Sequence, residues 1–254
     1  MTDLSIMTLN LRNSARLNEF KTRSKSISSM VSWHDPDLIG VQELMDYMIP
    51  ELPSLTETYS FFGSARKSAA PVNERCCILF KKQRFRKIAG ETIWLSDTPK
   101  EPGSKFLGSA FPRIATSILL EDLESGKTIR MCNTHLDHVL PSIRRKQAEV
   151  IQTYLRNHLD GDLTIVTGDF NCPDLSEPLQ VLESDDTLHL HDTTPSDPKS
   201  TIRNFIQSST SHYRPIDHIL VSDTMTVNKT EILSGLYMGT YPSDHSPILV
   251  ETTY

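Results

Sequence analysis

Leu-Thr-Ile-Val-Thr-Gly-Asp-Phe-Asn, residues 163–171, decides the fold, because an apolar run rich in β-branched residues passes directly into polar ones. The apolar part predicts a strand at 163–167. Upstream, residues 142–158 repeat apolar side chains at helical spacing, and 128–133 form another apolar run that is typical of a strand. Strand, helix and strand in this order predict a β-α-β unit with its helix outside a sheet.

A second β-α-β unit is predicted near the start of the sequence, where strands at 6–11 and 38–41 flank a helix at 20–33. Between the two units, residues 59–134 read as successive strands joined by turns, which is typical of antiparallel pairing. The other predicted strands are short apolar runs at 59–63, 76–80, 114–120, 216–221 and 248–250. Two β-rich halves with outer helices predict an α/β fold in which two mixed sheets pack face to face.

The composition of the 254-residue chain is that of an ordinary globular protein, with 37% hydrophobic residues, 23% charged residues and only 10 glycines. Collagen-like, low-complexity and fully disordered classes are therefore excluded. No internal repeat and no long linker rich in Gly, Ser or Pro divides the sequence. We expect a single domain over residues 1–254, and a monomer.

The charge balance and the apolar runs limit the expected partners. There are 26 Lys and Arg against 32 Asp and Glu, a net charge of -6, which disfavours binding of nucleic acid by bulk electrostatics. No run approaches the ~20 apolar residues of a membrane span, and the first residues lack the features of a secretory signal. We expect a cytoplasmic protein without a membrane anchor, whose 4 cysteines are reduced packing residues.

Polar side chains occur within or at the ends of the predicted strands, where they need a function or a hydrogen-bonding partner. Asn10 lies in the first strand, and Glu43 follows the run at 38–41. Asp169 and Asn171 share one face of an extended chain because successive side chains alternate. Taken singly, Asn10 is as readily a hydrogen-bonded core amide, and a strand-end glutamate such as Glu43 is more often solvated than catalytic.

Two further strands carry acids or histidines. His135 and Asp137 are predicted to share a face at the end of the strand at 128–133, with His138 turned away. Asp217 lies inside an apolar strand, where an unpaired carboxylate is costly. Asp217 therefore needs a cation or a hydrogen-bond donor.

The pair Asp244-His245 precedes the last strand, and its alternative interpretation is an acidic turn followed by a surface histidine. A carboxylate within reach of a histidine favours the charged imidazole near neutral pH. Together, these carboxylate, amide and imidazole groups at strand ends predict the chemistry of a hard divalent cation.

The order of these motifs resembles the endonuclease/exonuclease/phosphatase superfamily, in its deoxyribonuclease-I-like form. The motifs that carry the resemblance are Asn10 in Met-Thr-Leu-Asn-Leu-Arg, Glu43 in Val-Gln-Glu, His135 in Asn-Thr-His-Leu, Asp169 and Asn171 in Gly-Asp-Phe-Asn, Asp217, and Asp244-His245 in Ser-Asp-His-Ser-Pro. They span residues 10–245, nearly the whole chain. The segments 94–99 and 133–138, with Pro112-Arg113, are similar to an uncharacterised bacterial-type subgroup.

The resemblance implies a four-layered α/β sandwich, with two mixed and mainly antiparallel sheets face to face and helices on the outside. It also implies a Mg²⁺-dependent hydrolase of phosphate esters, in which Mn²⁺ can substitute. Glu43 would be the principal metal ligand, with Asn10 beside it and Asp244 close to the ion. Asp169 would activate the attacking water, helped by Asn171.

The resemblance assigns the remaining roles to groups around the phosphate. His245, held by Asp217, and His135 would stabilise the phosphoryl oxygens. Glu74 would support His135, and Arg113 would lie near the scissile phosphate.

Three functions remain open on the sequence. The favoured one is a phosphodiesterase or nuclease acting on nucleic acid or nucleotides, for which basic clusters at 81–87 and 144–146 offer local patches, although solvated surface explains both clusters better. The alternative keeps the chemistry and takes a small phosphorylated metabolite or a lipid head group. A catalytically silent scaffold is disfavoured because the full set of site residues is present.

Overall fold

Twelve strands and four α-helices make up the described part of the computed structural model, which comprises residues 1–13, 17–67, 73–195, 200–202 and 214–254. The strands are β1 (Asp3–Asn10), β2 (Leu38–Leu44), β3 (Tyr59–Phe62), β4 (Arg75–Lys81), β5 (Phe85–Trp94), β6 (Ile114–Asp122), β7 (Thr128–His135), β8 (Leu163–Asp169), β9 (Leu190–Asp192), β10 (Asp217–Ser222), β11 (Thr226–Ile232) and β12 (Ile248–Thr253). The helices are α1 (Leu17–His34), α2 (Pro53–Thr58), α3 (Pro141–Arg156) and α4 (Glu177–Glu183), with a 3₁₀ helix at Asp46–Glu51.

The strands pair into two six-stranded sheets, in the orders β11-β12-β1-β2-β4-β3 and β5-β6-β7-β8-β10-β9. Strands β1 and β2 are parallel, as are β7 and β8, and the other described pairs are antiparallel. A helix joins each parallel pair, α1 or α3, because parallel strands need a crossover connection. The two β-α-β units predicted from the sequence are therefore confirmed.

Alternation along the central strands separates the core into layers. Ile6 and Ile165 belong to the cluster between the sheets, which contains residues of both. The next residue on each strand points the other way, so that Met7 packs with α1 and Val166 packs with α3 and α4. Strands that are buried on both faces read as continuous apolar runs. The result is the predicted four-layered sandwich, with helices on the outside.

The elements that the sequence analysis missed lie at the edges and outside the sheets. Strands β5, β9 and β11 do not appear among the predicted strands, and β11 exposes most of its polar sequence, Thr-Val-Asn-Lys-Thr-Glu-Ile. An edge strand buries little apolar surface and therefore lacks the apolar run by which central strands are recognised. Helices α2 and α4 are short, at 6 and 7 residues, and carry little periodicity.

Two simpler expectations concern the cysteines and membrane-spanning segments. All four cysteines are buried and free, and burial raises the pKa of Cys132 to about 12. Burial thus supports the expectation that they pack as thiols. None of the helices within the described ranges is long and apolar enough to cross a membrane.

Strand register brings predicted site residues together where the central strands of both sheets begin or end. We call this side of the sandwich the site edge. Asp169, the last residue of β8, is paired with His135 at the end of β7 and with Asp217 at the start of β10. In the other sheet, Asn10 ends β1 opposite Gln42, the residue before Glu43. Parallel strands end together, and an antiparallel neighbour begins where they end, so both sheets contribute to the same edge.

Candidate active site

Asn10 connects the two sheets at the site edge. Its side chain is 1% exposed, and its Nδ2 group donates to Glu43 Oε1 at 3.1 Å and to Asp169 Oδ2 at 3.0 Å. Its Oδ1 atom accepts a hydrogen bond from the backbone N–H of Arg12 at 2.8 Å. The buried amide is therefore fully used, and it places two carboxylates from different sheets beside each other.

Glu43 reaches the site through an irregularity in β2. The register between β2 and β4 shifts between Val41 and Leu44, and Glu43 has a left-handed φ of 58°. A non-glycine residue in this conformation is uncommon and is held by its surroundings. The partly exposed carboxylate accepts hydrogen bonds from Asn10 and from the backbone N–H of Asn13. The bulge therefore directs the Glu43 carboxylate towards the cleft, although Glu43 lies inside β2 and not at its end.

Asp169 lies at the centre of the site and is 2% exposed. Its Oδ2 atom accepts from Asn10 and lies 3.5 Å from His135 Nε2 and 3.9 Å from His245 Nε2. Its Oδ1 atom accepts from the backbone N–H of Asn171 at 2.9 Å. Four groups, from four parts of the chain, thus surround one carboxylate, two of them imidazoles.

Asn171 lies beside Asp169, but the chain has left the strand. Its φ is 52°, in the left-handed region, and its Nδ2 group donates to the carbonyl oxygen of Leu136 at 3.1 Å. Asparagine tolerates this conformation better than most residues. The sequence analysis expects Asp169 and Asn171 on the same face of an extended strand. In the structure the strand ends at Asp169, and the chain turns before Asn171.

His245 is the best-supported cation of the site. Its Nδ1 atom lies 2.9 Å from Asp217 Oδ2, so the proton on Nδ1 is donated to that carboxylate. Burial opposes the charged form, but Asp217, Asp169 and Asp244 together raise the pKa of His245 to about 10. The imidazole is therefore protonated at neutral pH, and its Nε2–H points towards Asp169. The partner that Asp217 requires is this histidine.

A second group of charged residues stands on the other side of Asp169, around Glu74. Glu74 Oε1 accepts from Arg66 Nη1 at 2.9 Å and lies 3.5 Å from both Arg113 Nη1 and His135 Nδ1. Burial favours the neutral acid, but His135, Arg66 and Arg113 lower the pKa of Glu74 to about 2. The predicted residues Glu74, Arg113 and His135 are thus brought together, and Arg66 joins them without any signal in the sequence.

Three further residues singled out in the sequence lie near the site, and one of them, Asp137, differs from its expectation. Asp137 does not share the face of His135 in the cleft but is fully buried, where it holds two loops together. His138, predicted to turn away, is exposed, and its Nδ1 atom lies 3.4 Å from Arg113 Nη2. Asp244 is partly exposed and pairs with Arg12 Nε at 3.5 Å.

His218, the neighbour of Asp217, is buried on the opposite face of β10. Its Nδ1 atom lies 2.9 Å from Asp192 Oδ2, and its Nε2 atom lies 3.0 Å from the carbonyl oxygen of Cys172. Burial opposes its charge, but these two contacts and the charge of Asp217 raise the pKa of His218. A protonated His218 donates in both directions and ties down the turn that carries Asp169.

The oxygen atoms of Glu43 and Asp169 suit the coordination of a hard divalent cation. Asp169, Asp217 and His245 also place ligand atoms within 4.8 Å of one another, but His245 and Asp217 are already engaged with each other through a hydrogen bond of 2.9 Å. Glu43 and Asp169 flank the same Asn10 amide and offer only oxygen, which such cations prefer. The oxygen-rich side of Asp169, next to Glu43, is therefore the candidate metal centre.

Comparisons with known proteins show what the chain as a whole is similar to. The sequence model of the Endonuclease/Exonuclease/phosphatase family matches residues 7–245, and no curated protein matches the sequence. A mannosyl-6-phosphatase of Bacteroides thetaiotaomicron VPI-5482 has 26% identity and a TM-score of 0.87, with 99% of this chain and 100% of that chain covered. An endonuclease/exonuclease/phosphatase family protein of B. thetaiotaomicron gives 26%, 0.87, 99% and 98% for the same quantities. D. rerio TDP2, complexed with a single-strand DNA product, shares the fold at 20% identity and a TM-score of 0.76, with 100% of both chains covered.

Proposed function

The chain belongs to the endonuclease/exonuclease/phosphatase family and is a hydrolase of phosphate ester bonds, and we propose that it uses Mg²⁺ to hydrolyse small phosphomonoesters. Members of this family generally depend on a divalent metal. The observation that carries the proposal is the approach of His135 Nε2 and His245 Nε2 to the same Asp169 oxygen, at 3.5 and 3.9 Å. A phosphoryl group beside Asp169 would contact both imidazoles.

Glu43 would hold the ion, with Asn10 beside it and Asp244 nearby, and Mn²⁺ would substitute at such an oxygen-rich site. When bound, the ion supplies electrostatic stabilisation of the charge that develops on the phosphoryl oxygens. The backbone N–H of Asn13 and the Asn10 amide both donate to Glu43, which fixes the orientation of its carboxylate.

Asp169 would accept a proton from the attacking water. An aspartate is a weak base near neutral pH, so its contribution depends on position more than on basicity. The position of Asp169 is well determined, because Asn10 donates to Oδ2 and the N–H of Asn171 donates to Oδ1. The Asn171 side chain, held by Leu136 O at 3.1 Å, would also help to orient the phosphate.

His245 would donate its Nε2–H to a phosphoryl oxygen, with Asp217 fixing the ring and the charge. His135 would contact the phosphate from the side of Glu74, and Arg113 would add positive charge there. Together, these groups would stabilise the additional negative charge of the transition state.

The location of the basic clusters favours a small substrate over nucleic acid. The cluster at 81–87 lies at the opposite edge of the sheets, where Lys81 pairs with Asp35 and Asp37. In the cluster at 144–146, Arg145 pairs with Glu149. Neither cluster supplies a continuous basic track of the kind that single-strand binding needs. The name of the similar mannosyl-6-phosphatase supports a phosphorylated sugar as the substrate class.

Phosphate release from the purified, EDTA-treated chain tests this proposal. The substrates are mannose 6-phosphate, glycerol 3-phosphate and p-nitrophenyl phosphate, compared with bis-p-nitrophenyl phosphate, single-stranded and duplex DNA, RNA and sphingomyelin. We expect turnover of the monoesters that returns with Mg²⁺ or Mn²⁺ and is lost in Glu43→Gln. His245→Ala should lower it by on the order of 100-fold, because a cation beside the phosphate is removed.

His191→Ala is the matched control, since the side chain of His191 is 41% exposed and is paired with Asp223 at 3.1 Å. It should retain full activity. Metal-dependent cleavage of the diesters or nucleic acids alone would overturn the choice of substrate in favour of a phosphodiesterase. Absence of turnover on every substrate, with either metal, would overturn the proposed mechanism.

A further inference from the structure

Two loops beside the catalytic residues are fastened together by Asp137. This fully buried carboxylate accepts hydrogen bonds from Ser109 Oγ at 2.9 Å and Ala110 N at 3.1 Å on one loop, and from Val139 N at 2.9 Å and Leu140 N at 3.0 Å on the other. A carboxylate with this many donors is strongly held. The relative position of the two loops is therefore set by the protein itself.

The fastened loops present an aromatic pair to solvent. Phe111 is 41% exposed, and its ring stacks on the exposed imidazole of His138 with centroids 5.9 Å apart and planes inclined by 19°. The guanidinium of Arg66 lies 5.0 Å from the centre of the Phe111 ring. An exposed aromatic surface next to nitrogen donors is typical of a ligand site, since rings fix position and donors fix orientation.

This trio, Arg66, Phe111 and His138, is continuous with the phosphate side of the site. Arg66 donates to Glu74, which lies 3.5 Å from His135. Arg113 links the same glutamate to His138, with its Nη1 atom 3.5 Å from Glu74 and its Nη2 atom 3.4 Å from His138. A substrate whose phosphate contacts His135 would therefore extend its other end over the trio.

We propose that Arg66, Phe111 and His138 form a subsite for the leaving group, and that this subsite takes the hydroxylated ring of a phosphorylated monosaccharide. The inference rests on the proposed function, because it assumes that the phosphate binds at His135 and His245. The C–H face of a sugar ring packs against the exposed part of the Phe111–His138 pair, and ring hydroxyls accept hydrogen bonds from Arg66 and His138. A sugar ring suits this mixture of one apolar surface and flanking donors better than an aliphatic chain does.

Steady-state kinetics on a matched pair of substrates test the subsite. Glucose 6-phosphate carries a ring, whereas glycerol 3-phosphate carries hydroxyls and no ring. Phe111→Ala should raise KM for glucose 6-phosphate by about 5- to 10-fold, the size of a typical aromatic contact, and leave kcat and the KM for glycerol 3-phosphate within about twofold. Phe111→Tyr should restore the KM for glucose 6-phosphate. His138→Ala should raise the KM for glucose 6-phosphate selectively, as Phe111→Ala does.

Leu107→Ala is the matched control, because Leu107 is fully exposed on the same loop and lies outside the trio. It should change neither substrate. Equal losses on both substrates in Phe111→Ala would mean a structural role, and no loss on either would mean that the ring is not contacted. Each of these results overturns the proposal.

Calorimetry on Asp169→Asn separates failure of the subsite from failure of the proposed function. Binding of glucose 6-phosphate and glycerol 3-phosphate to this variant needs no turnover, and adding Phe111→Ala should weaken only the former. If the wild-type chain hydrolyses no monoester but this contrast is observed, the subsite stands and the proposed function falls. If the contrast is missing, the subsite is overturned whatever the activity.

Discussion

The two edges of the sandwich both gather charged residues at strand ends, but they are built differently. At the edge away from the site, which we call the far edge, Arg84 donates to Asp37 Oδ2 at 2.9 Å and to Asp122 Oδ1 at 3.1 Å. Its Nη2 group also donates to the carbonyl oxygen of Asp3 at 2.7 Å. Burial opposes its charge, but Asp122 and Asp37 raise the pKa of Arg84. Each buried acid here has a permanent cation.

At the site edge, the carboxylates of Glu43 and Asp169 are held by an uncharged amide. Asn10 donates to both, and backbone N–H groups of Asn13 and Asn171 complete the support. Within the described residues, no ion pair involves Glu43, and the ion pairs of Asp169 are those with the imidazoles of His135 and His245, at 3.5 and 3.9 Å. The comparison teaches that the far edge uses charge to close the structure, whereas the site edge keeps charge available for a metal ion and a phosphate.

The far edge should be the place where a substitution costs the most stability. Arg84→Met leaves Asp122 without its cation and leaves Asp37 with Lys81 alone, and we expect a loss of about 3–5 kcal/mol in the free energy of unfolding, measured by urea titration. Activity per folded molecule should not change at temperatures well below the transition.

Arg86→Met is the control for Arg84→Met. Arg86 is mostly exposed and pairs with Glu121, and a surface pair contributes about 1 kcal/mol or less. A loss below about 1 kcal/mol in Arg84→Met, or a parallel fall in kcat, would contradict the separation of the two edges.

The site edge should respond in the opposite way. Asp169→Asn removes the proton acceptor, and we expect kcat to fall by on the order of 10²- to 10³-fold with the fold intact. The unfolding free energy should stay the same or rise, because one of two neighbouring carboxylates is neutralised. Kinetics and urea titration on the same preparation check both parts.

Asp186→Asn provides the same chemical change at an exposed position and should leave kcat and stability unaltered. If Asp169→Asn kept near-normal turnover, or unfolded the protein, Asp169 would belong with the far edge as a structural acid.

His218 provides the most selective test and the smallest expected effect. Like the charged residues of the far edge it is buried in an ion pair, but it also contacts the turn that follows Asp169. His218→Phe keeps an aromatic ring of similar size and removes the donation to Cys172 O, so the turn at Asp169–Cys172 loosens. We expect kcat to fall by about 10-fold with little change in KM, because misplacing a catalytic group by a fraction of an ångström has this scale of effect. His218→Gln, which retains a donor, should recover part of the rate.

Leu179→Ala separates positioning from general destabilisation. Leu179 is buried in the same outer core as Phe170, which packs edge-on against His218. The variant should lose stability by about 2–5 kcal/mol without a change in kcat at low temperature. If Leu179→Ala lowered kcat as much as His218→Phe, the role of His218 would be purely structural.

Much of the central fold follows from the sequence, because the inner strands are buried on both faces and read as apolar runs. The two crossover helices follow from their periodicity. The edge strands β9 and β11 do not, since their pairing comes from hydrogen bonds with a neighbour and leaves little apolar pattern. Sequence patterns therefore predict the interior of the sandwich better than its margins.

The candidate site divides in the same way. Asp169 and His245 could be found from the sequence, because a polar group that ends an apolar strand is conspicuous and the motif order resembles a known superfamily. Arg66 could not, because its importance comes from contact with Glu74 and Phe111 after folding. The sequence also could not show that Asp137 is buried between two loops while His138 is exposed beside Arg113. The chain turns immediately after β7, so the alternation of side chains along a strand no longer applies.

By itself, the sequence determined which strands are buried and which polar groups stand at their ends, because side-chain alternation and the hydrophobic effect act locally along the chain. Tertiary structure alone decided which of those ends meet. Register pairs Asp169 with both His135 and Asp217, and packing of one sheet on the other brings Asn10 to Asp169. Contacts between residues as far apart as 10 and 169 depend on how whole sheets stack, and no local pattern encodes that distance.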